Sequence, residues 1–98
     1  MLVRYSERRR YIRVPASGYV YWESGPRRGS GVLVDVSPGG AALRLPLRRA
    51  MQLGSLIDLE GEVAPGFRWL LARNAVVVRR LPDDAGVCDV GVLFDQRR

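Results

Sequence analysis

The spacing of glycine and proline sets what this chain can fold into. Gly25-Pro26, Ser37-Pro38-Gly39-Gly40, Pro46, Gly54, Pro65-Gly66 and Pro82-Asp83-Asp84-Ala85-Gly86 recur at intervals of about 8–15 residues. Neither a helix interior nor a central strand accepts such clusters, so each marks a connection. The pieces between them have strand character. Tyr19 to Trp22 is aromatic and β-branched, Val32-Leu33-Val34 runs into Asp35, and Ala41 to Leu45, Leu56 to Leu59 and Val87 to Phe94 are short apolar runs. Val14 stands before Pro15 and is pushed out of the helical region. Gly25 to Gly29 reads as one turn, and Arg48 to Gly54 as a loop or single turn.

Phe67 to Leu81 is long for one strand, and Arg73-Asn74 reads as a bend or bulge between its halves. Alternation predicts Phe67, Trp69 and Leu71 facing inward, and Val90, Val92 and Phe94 sharing a face. Trp22 and Trp69 are expected in the core. The sum is six or seven strands and no helix. An all-β chain of this size closes most readily into a small antiparallel barrel, which leaves no open edge; a two-sheet sandwich is the competing architecture.

At 98 residues the chain is one small domain, and 47% apolar residues suffice for a core. No run approaches the roughly 20 apolar residues of a membrane span, and no apolar stretch follows the N-terminal arginines to make a signal peptide. Cys88 is the lone cysteine, which excludes an internal disulfide and suits a reducing, cytoplasmic setting. Its place in an apolar alternation predicts a small core residue. Histidine is absent, removing the commonest general base and metal ligand. The serines have no evident activating partner, and the acids Asp58, Glu60, Asp83 and Asp84 fall on an outer strand face and a loop. Neither an enzyme nor a metal site is expected.

All sixteen basic residues are arginine, against ten acids. Arg4, Arg8, Arg9, Arg10 and Arg13 crowd the first thirteen residues, giving that segment +4, while the remainder carries +2. The division expected is a flexible arginine-rich arm at 1–14 and a barrel at 15–98. Such an arm attracts anionic ligands. Arg9 and Arg13 are four apart, so on a helix or on an extended arm they share a face and their guanidiniums can converge. Alone, this arm also fits a solvated tail or a generic nucleic-acid contact.

The second feature is Asp35-Val36-Ser37-Pro38-Gly39-Gly40, directly after a strand. Asp35 and Ser37 point the same way on an extended backbone. A carboxylate accepts from the N1 and N2 hydrogens of guanine, and a hydroxyl donates to a phosphate oxygen. Gly39-Gly40 permits positive φ and close approach of a ligand. The plainer reading is a serine or Asx turn between two strands. The two features are chemically complementary, because arginine forks onto guanine O6 and N7 while an aspartate takes the opposite edge.

Arg9-x-x-x-Arg13 followed by Asp35-x-Ser37-x-x-Gly40 resembles the paired signature of the PilZ domain, a bacterial receptor module for cyclic di-GMP. The resemblance extends through Gly31 to Asp35, Ala42 to Leu45, Leu53 to Leu59, Asn74 to Arg79 and Val90 to Phe94, roughly 85 of 98 residues. It implies a six-stranded antiparallel barrel with the N-terminal arm folding over it. It also implies that Arg9 and Arg13 bind guanine edges and phosphates, Asp35 a guanine, and Ser37 the ligand's polar edge, with Gly40 allowing close approach. Arg8 and Arg10 beside the motif are possible additional contacts, and Pro38 stiffens the turn. One or two dinucleotides fit such a signature. Many members carry a C-terminal helix after the last strand; here the chain stops four residues past Phe94, so that helix is not expected. The function expected is cyclic di-GMP binding, relayed through ordering of the arm to a downstream effector protein, with no cofactor, no membrane partner and no nucleic acid. The alternatives are a PilZ-like protein-interaction module without ligand, and a small basic barrel binding single-stranded nucleic acid through Tyr19, Tyr21, Trp22 and the arginines.

Overall fold

A computed structural model describes residues 14–15, 18–64 and 66–94. Within them run seven strands: β1 (Val14–Pro15), β2 (Tyr19–Ser24), β3 (Arg27–Ser37), β4 (Gly40–Pro46), β5 (Leu56–Ala64), β6 (Phe67–Pro82) and β7 (Val87–Leu93). The order β3-β2-β5-β6-β7-β4 closes through a further β3–β4 pairing, so six antiparallel strands form a barrel and the two-residue β1 adds to the edge of β3. Only a 3-10 turn at Leu47–Arg49 is helical. The barrel, not the sandwich, is the architecture.

Period-two alternation builds the interior. Val20 and Trp22 of β2, Leu43 and Leu45 of β4, Ile57 and Leu59 of β5, Ala75 and Val77 of β6, and Cys88, Val90 and Val92 of β7 are all buried. Cys88 is a core residue, as its setting predicts, and Phe94 packs against the same cluster. Among the described residues no buried polar or charged side chain interrupts the core.

The turns follow from their residues. Gly25 has φ 61° and Pro26 holds a negative φ, the sign pattern of a II′ hairpin turn. Those two residues suffice, so Arg27, Arg28 and Gly29, expected in the turn, already pair with β2 as Ser24↔Arg27, Glu23↔Arg28 and Trp22↔Gly29. Asp83 closes the β6–β7 loop by accepting the backbone N–H groups of Ala85 at 2.8 Å and Val87 at 3.0 Å. These bonds hold its carboxyl below the usual carboxylate range. Asn74 adopts φ 56° where β5 and β6 slip register, and its N–H is received by Asp58 Oδ1 at 3.0 Å. That is the irregularity expected at Arg73-Asn74.

One inward assignment fails. Phe67 and Trp69 are 68% and 57% exposed; of the three residues expected inside, only Leu71 packs partly against the core. The reason is reach. β2 pairs with β5 only as far as Gly61, whereas β5 and β6 continue to Ala64↔Phe67. Phe67 therefore lies beyond the last β2 pairing, and Trp69, opposite Gly61, stands at its rim, where no second layer covers it.

Candidate functional site

Asp35, Ser37 and Gly40 come together at the β3–β4 hairpin. Their placement depends on a bulge. Leu33 faces Leu43 in the interior, and strict alternation would aim Asp35 the same way. The register shifts between Leu33 and Asp35, leaving Val34 as the extra residue and Asp35 opposite Ala42. Val36 then packs against the core, while Asp35 and Ser37 lie on the outer face, half-buried. Ser37 Oγ accepts the Gly39 N–H at 3.3 Å, so the serine turn anticipated as the plainer reading is present and holds the hairpin. The remaining hydroxyl proton and lone pair are still available for a ligand.

Gly40 does something different from what was expected. It has no positive φ. Instead, a Cβ there would run into the Val92 carbonyl oxygen of β7, so its missing side chain is required by strand packing before any ligand arrives. The hairpin is further pinned where Phe94 N–H donates to the Gly39 carbonyl at 2.9 Å.

β1 bears directly on this hairpin. It is antiparallel to β3, with Val14 opposite Val36 and Pro15 opposite Asp35. Its N-terminal end therefore lies at the Ser37 end of β3. Arg8, Arg9, Arg10 and Arg13 themselves lie outside the described residues.

The outer face continues from the hairpin in two rows. One runs Ser37, Gly40, Leu93, Val76, Leu56; the next runs Asp35, Ala42, Gly91, Arg79. Small residues thus flank the two polar side chains and leave a low floor between β3 and β6. Sequence reading overlooked Ala42, Gly91, Leu93 and Arg79 as part of this face. Strand pairing brings them there, and only the Ala42 and Gly91 positions, small residues in otherwise bulky strands, hinted at it.

A groove of about 660 Å³ lies elsewhere, on β2, β3, β5 and β6, and no motif residue lines it. Three of its four arginines face carboxylates: Arg68 Nη2 is 3.1 Å from Glu60, Arg73 Nη1 3.7 Å from Asp58, and Arg28 Nη2 3.9 Å from Glu23, while Arg49 has no such partner among the described residues. Arg68 also lies 3.9 Å from the centre of the Tyr21 ring, and the Tyr21 phenol donates to Glu62 Oε1 at 2.6 Å. That bond holds the Glu62 carboxyl low and the Tyr21 phenol high. The three paired arginines are largely offset by their carboxylates, which leaves Arg49 as the groove's one unmatched cation among the described residues. Among the described residues no group of three His, Cys, Asp or Glu could hold a metal, and no helix is long and apolar enough to cross a membrane.

The comparison with protein families decides what this hairpin belongs to. The PilZ domain model matches residues 7–98. The chain belongs to the PilZ family. PilZ domains are receptor and adaptor domains of a cyclic di-GMP-binding family, and the match takes in both Arg9-x-x-x-Arg13 and the Asp35–Gly40 turn. Among solved structures, the Bacillus subtilis inhibitor of motility, MotI/DgrA, is similar with TM-score 0.71 and 20% identity, over 94% of this chain and 44% of that one. The PilZ domain of CeSA from a cellulose-synthesizing bacterium gives TM-score 0.60 and 20% identity, over 88% and 83%. The chain thus spans less than half the length of MotI/DgrA, and the likeness is one of PilZ fold. No curated protein sequence matches significantly.

Proposed function

We propose that this PilZ domain binds cyclic di-GMP on the outer face at the β3–β4 hairpin and passes the signal to a partner protein. Asp35 takes a guanine edge, Ser37 the ligand's polar edge or a phosphate, and Arg9 and Arg13 supply guanidinium forks from the N-terminal segment. Arg8 and Arg10 add further contacts. The observation that carries the reading is the β1–β3 pairing. With Val14 opposite Val36, the chain that carries Arg9 and Arg13 joins the barrel beside Asp35 and Ser37, not at its far end. That pairing supports the reading, because the two halves of the signature are more than twenty residues apart in sequence.

Binding of a dianion to a segment of charge +4 lowers that segment's self-repulsion and ties it to the barrel. The surface so changed is what a downstream effector protein recognises. The setting is cytoplasmic, where a lone thiol stays reduced.

Nucleic-acid binding is disfavoured by the aromatic residues it would need. Trp22 is buried at 2% exposure, and Tyr21 is committed to Glu62 and covered by Arg68. Of the three proposed stacking residues only Tyr19 stands free on the surface.

Isothermal titration with cyclic di-GMP tests the reading. Wild type binds, and Arg9→Ala and Asp35→Ala each weaken binding by about 1–3 kcal/mol, roughly 5- to 150-fold. Unchanged affinity in both variants rejects the site, and binding of a single-stranded oligonucleotide that cyclic di-GMP does not displace rejects the ligand.

A further inference from the structure

A second bulge mirrors the one that aims Asp35. On β6, Val77 pairs with Val92 and Arg79 pairs with Gly91, so the register slips and Val78 is the extra residue. Val77 is buried and Val92 is buried. Without the slip, alternation from Val77 would turn Arg79 toward the interior; with it, Arg79 stands opposite Gly91 on the outer face. Each bulge thus precedes a charged residue, Asp35 on β3 and Arg79 on β6, and each sets that residue opposite a small one, Ala42 or Gly91. The two small residues pair with each other. Asp35, Ala42, Gly91 and Arg79 therefore form one row across four strands.

Gly91 also gives Arg79 its posture. A Cβ on Gly91 would lie 3.3 Å from the Arg79 Cβ and 3.4 Å from its Cζ and Nε. The guanidinium is therefore folded back across the glycine toward β4 rather than extended into solvent. Among the described residues no carboxylate is paired with it, as with Arg27, Arg48, Arg49 and Arg80 and unlike Arg28, Arg44, Arg68 and Arg73. Measured along the barrel wall, three strand spacings of about 4.8 Å separate Arg79 from Asp35 by about 14 Å. The fold-back brings the guanidinium one strand closer, to roughly 10 Å, a span that a guanine with its attached ribose phosphate fills.

We propose that Arg79 is a further dinucleotide-binding residue, closing the side of the site opposite Asp35 from its place over Gly91, with Ala42 as the floor on which the ligand lies. The assignment rests on the cyclic di-GMP reading above. A planar guanidinium laid along the barrel wall offers a fork to a phosphate and a face to a purine, neither of which an ammonium reproduces.

Isothermal titration of cyclic di-GMP into wild type, Arg79→Ala, Arg79→Lys and Arg28→Ala is the test. Arg28 is the charge control, since it is exposed, sits at the other end of β3 and removes the same unit of charge. The expected result is a loss of roughly tenfold or more for Arg79→Ala, little recovery in Arg79→Lys, and a change within about twofold for Arg28→Ala. Because Arg79 is exposed, the thermal midpoint of the free variant stays at the wild-type value. Wild-type affinity in Arg79→Ala alongside lost binding in Asp35→Ala overturns the Arg79 assignment alone. Equal losses in Arg79→Ala and Arg28→Ala overturn it too, by reducing the effect to net charge. A wild type that does not bind at all removes the cyclic di-GMP reading itself, and Arg79's role with it.

Discussion

Gly40 shows how a binding motif can be held in place by packing. Its backbone lies so close to the Val92 carbonyl that a methyl group has nowhere to go. Gly40→Ala is therefore expected to destabilise the free protein by about 1–3 kcal/mol, the usual cost of overpacking. Thermal unfolding without nucleotide reads this, and an unchanged midpoint would return Gly40 to a role in ligand approach alone. Asp83 makes a second prediction at this scale. Two backbone N–H groups hold its carboxyl below its ordinary value, so the stabilisation it supplies is present above the unfolded carboxylate pKa and is lost as pH falls through the lower folded one. Asp83→Ala is expected to lower the thermal midpoint at neutral pH and to flatten the decline in stability below about pH 4. A wild-type slope in that acid limb would contradict the assignment.

At the scale of elements, the bulges and the long β5–β6 hairpin explain what alternation could and could not foresee. Turns were legible because Gly25-Pro26 and Pro38-Gly39 leave the backbone few choices. Trp22 and Cys88 were legible as core residues, and Val90 and Val92 as sharing a face, because their strands alternate; all four are buried. Trp69 was misassigned because alternation reports a face and not whether a second layer covers it. The β5–β6 hairpin outruns β2, so its inward-phased aromatics meet solvent. Emission provides the check: Trp69 quenches readily with acrylamide, while a Trp69→Phe variant leaves the shielded Trp22 with blue-shifted, poorly quenched emission. Equal quenching in both proteins would contradict the uncovered position of Trp69. Arg79 was missed for the related reason that one extra residue in a strand reverses every face beyond it, and nothing in Val76-Val77-Val78 announces where the extra residue sits.

Across the whole molecule, closure of the barrel is what assembles the site. β4 is the strand shared between β3 and β7, and the ring order brings residues from the middle and last thirds of the chain into one outer row. The same closure keeps the paired-charge groove of Tyr21, Glu60 and Arg68 on β2, β5 and β6, away from the hairpin. A ligand held at the hairpin is therefore expected to leave the groove unmoved. The most direct measurement is a map of backbone amide chemical shifts during titration with cyclic di-GMP. The account predicts changes at residues 8–13, at Asp35 to Ala42 and at Gly91 to Leu93, with Tyr21, Glu60 and Arg68 unmoved. Changes concentrated at those three groove residues, or none at saturating nucleotide, would contradict it.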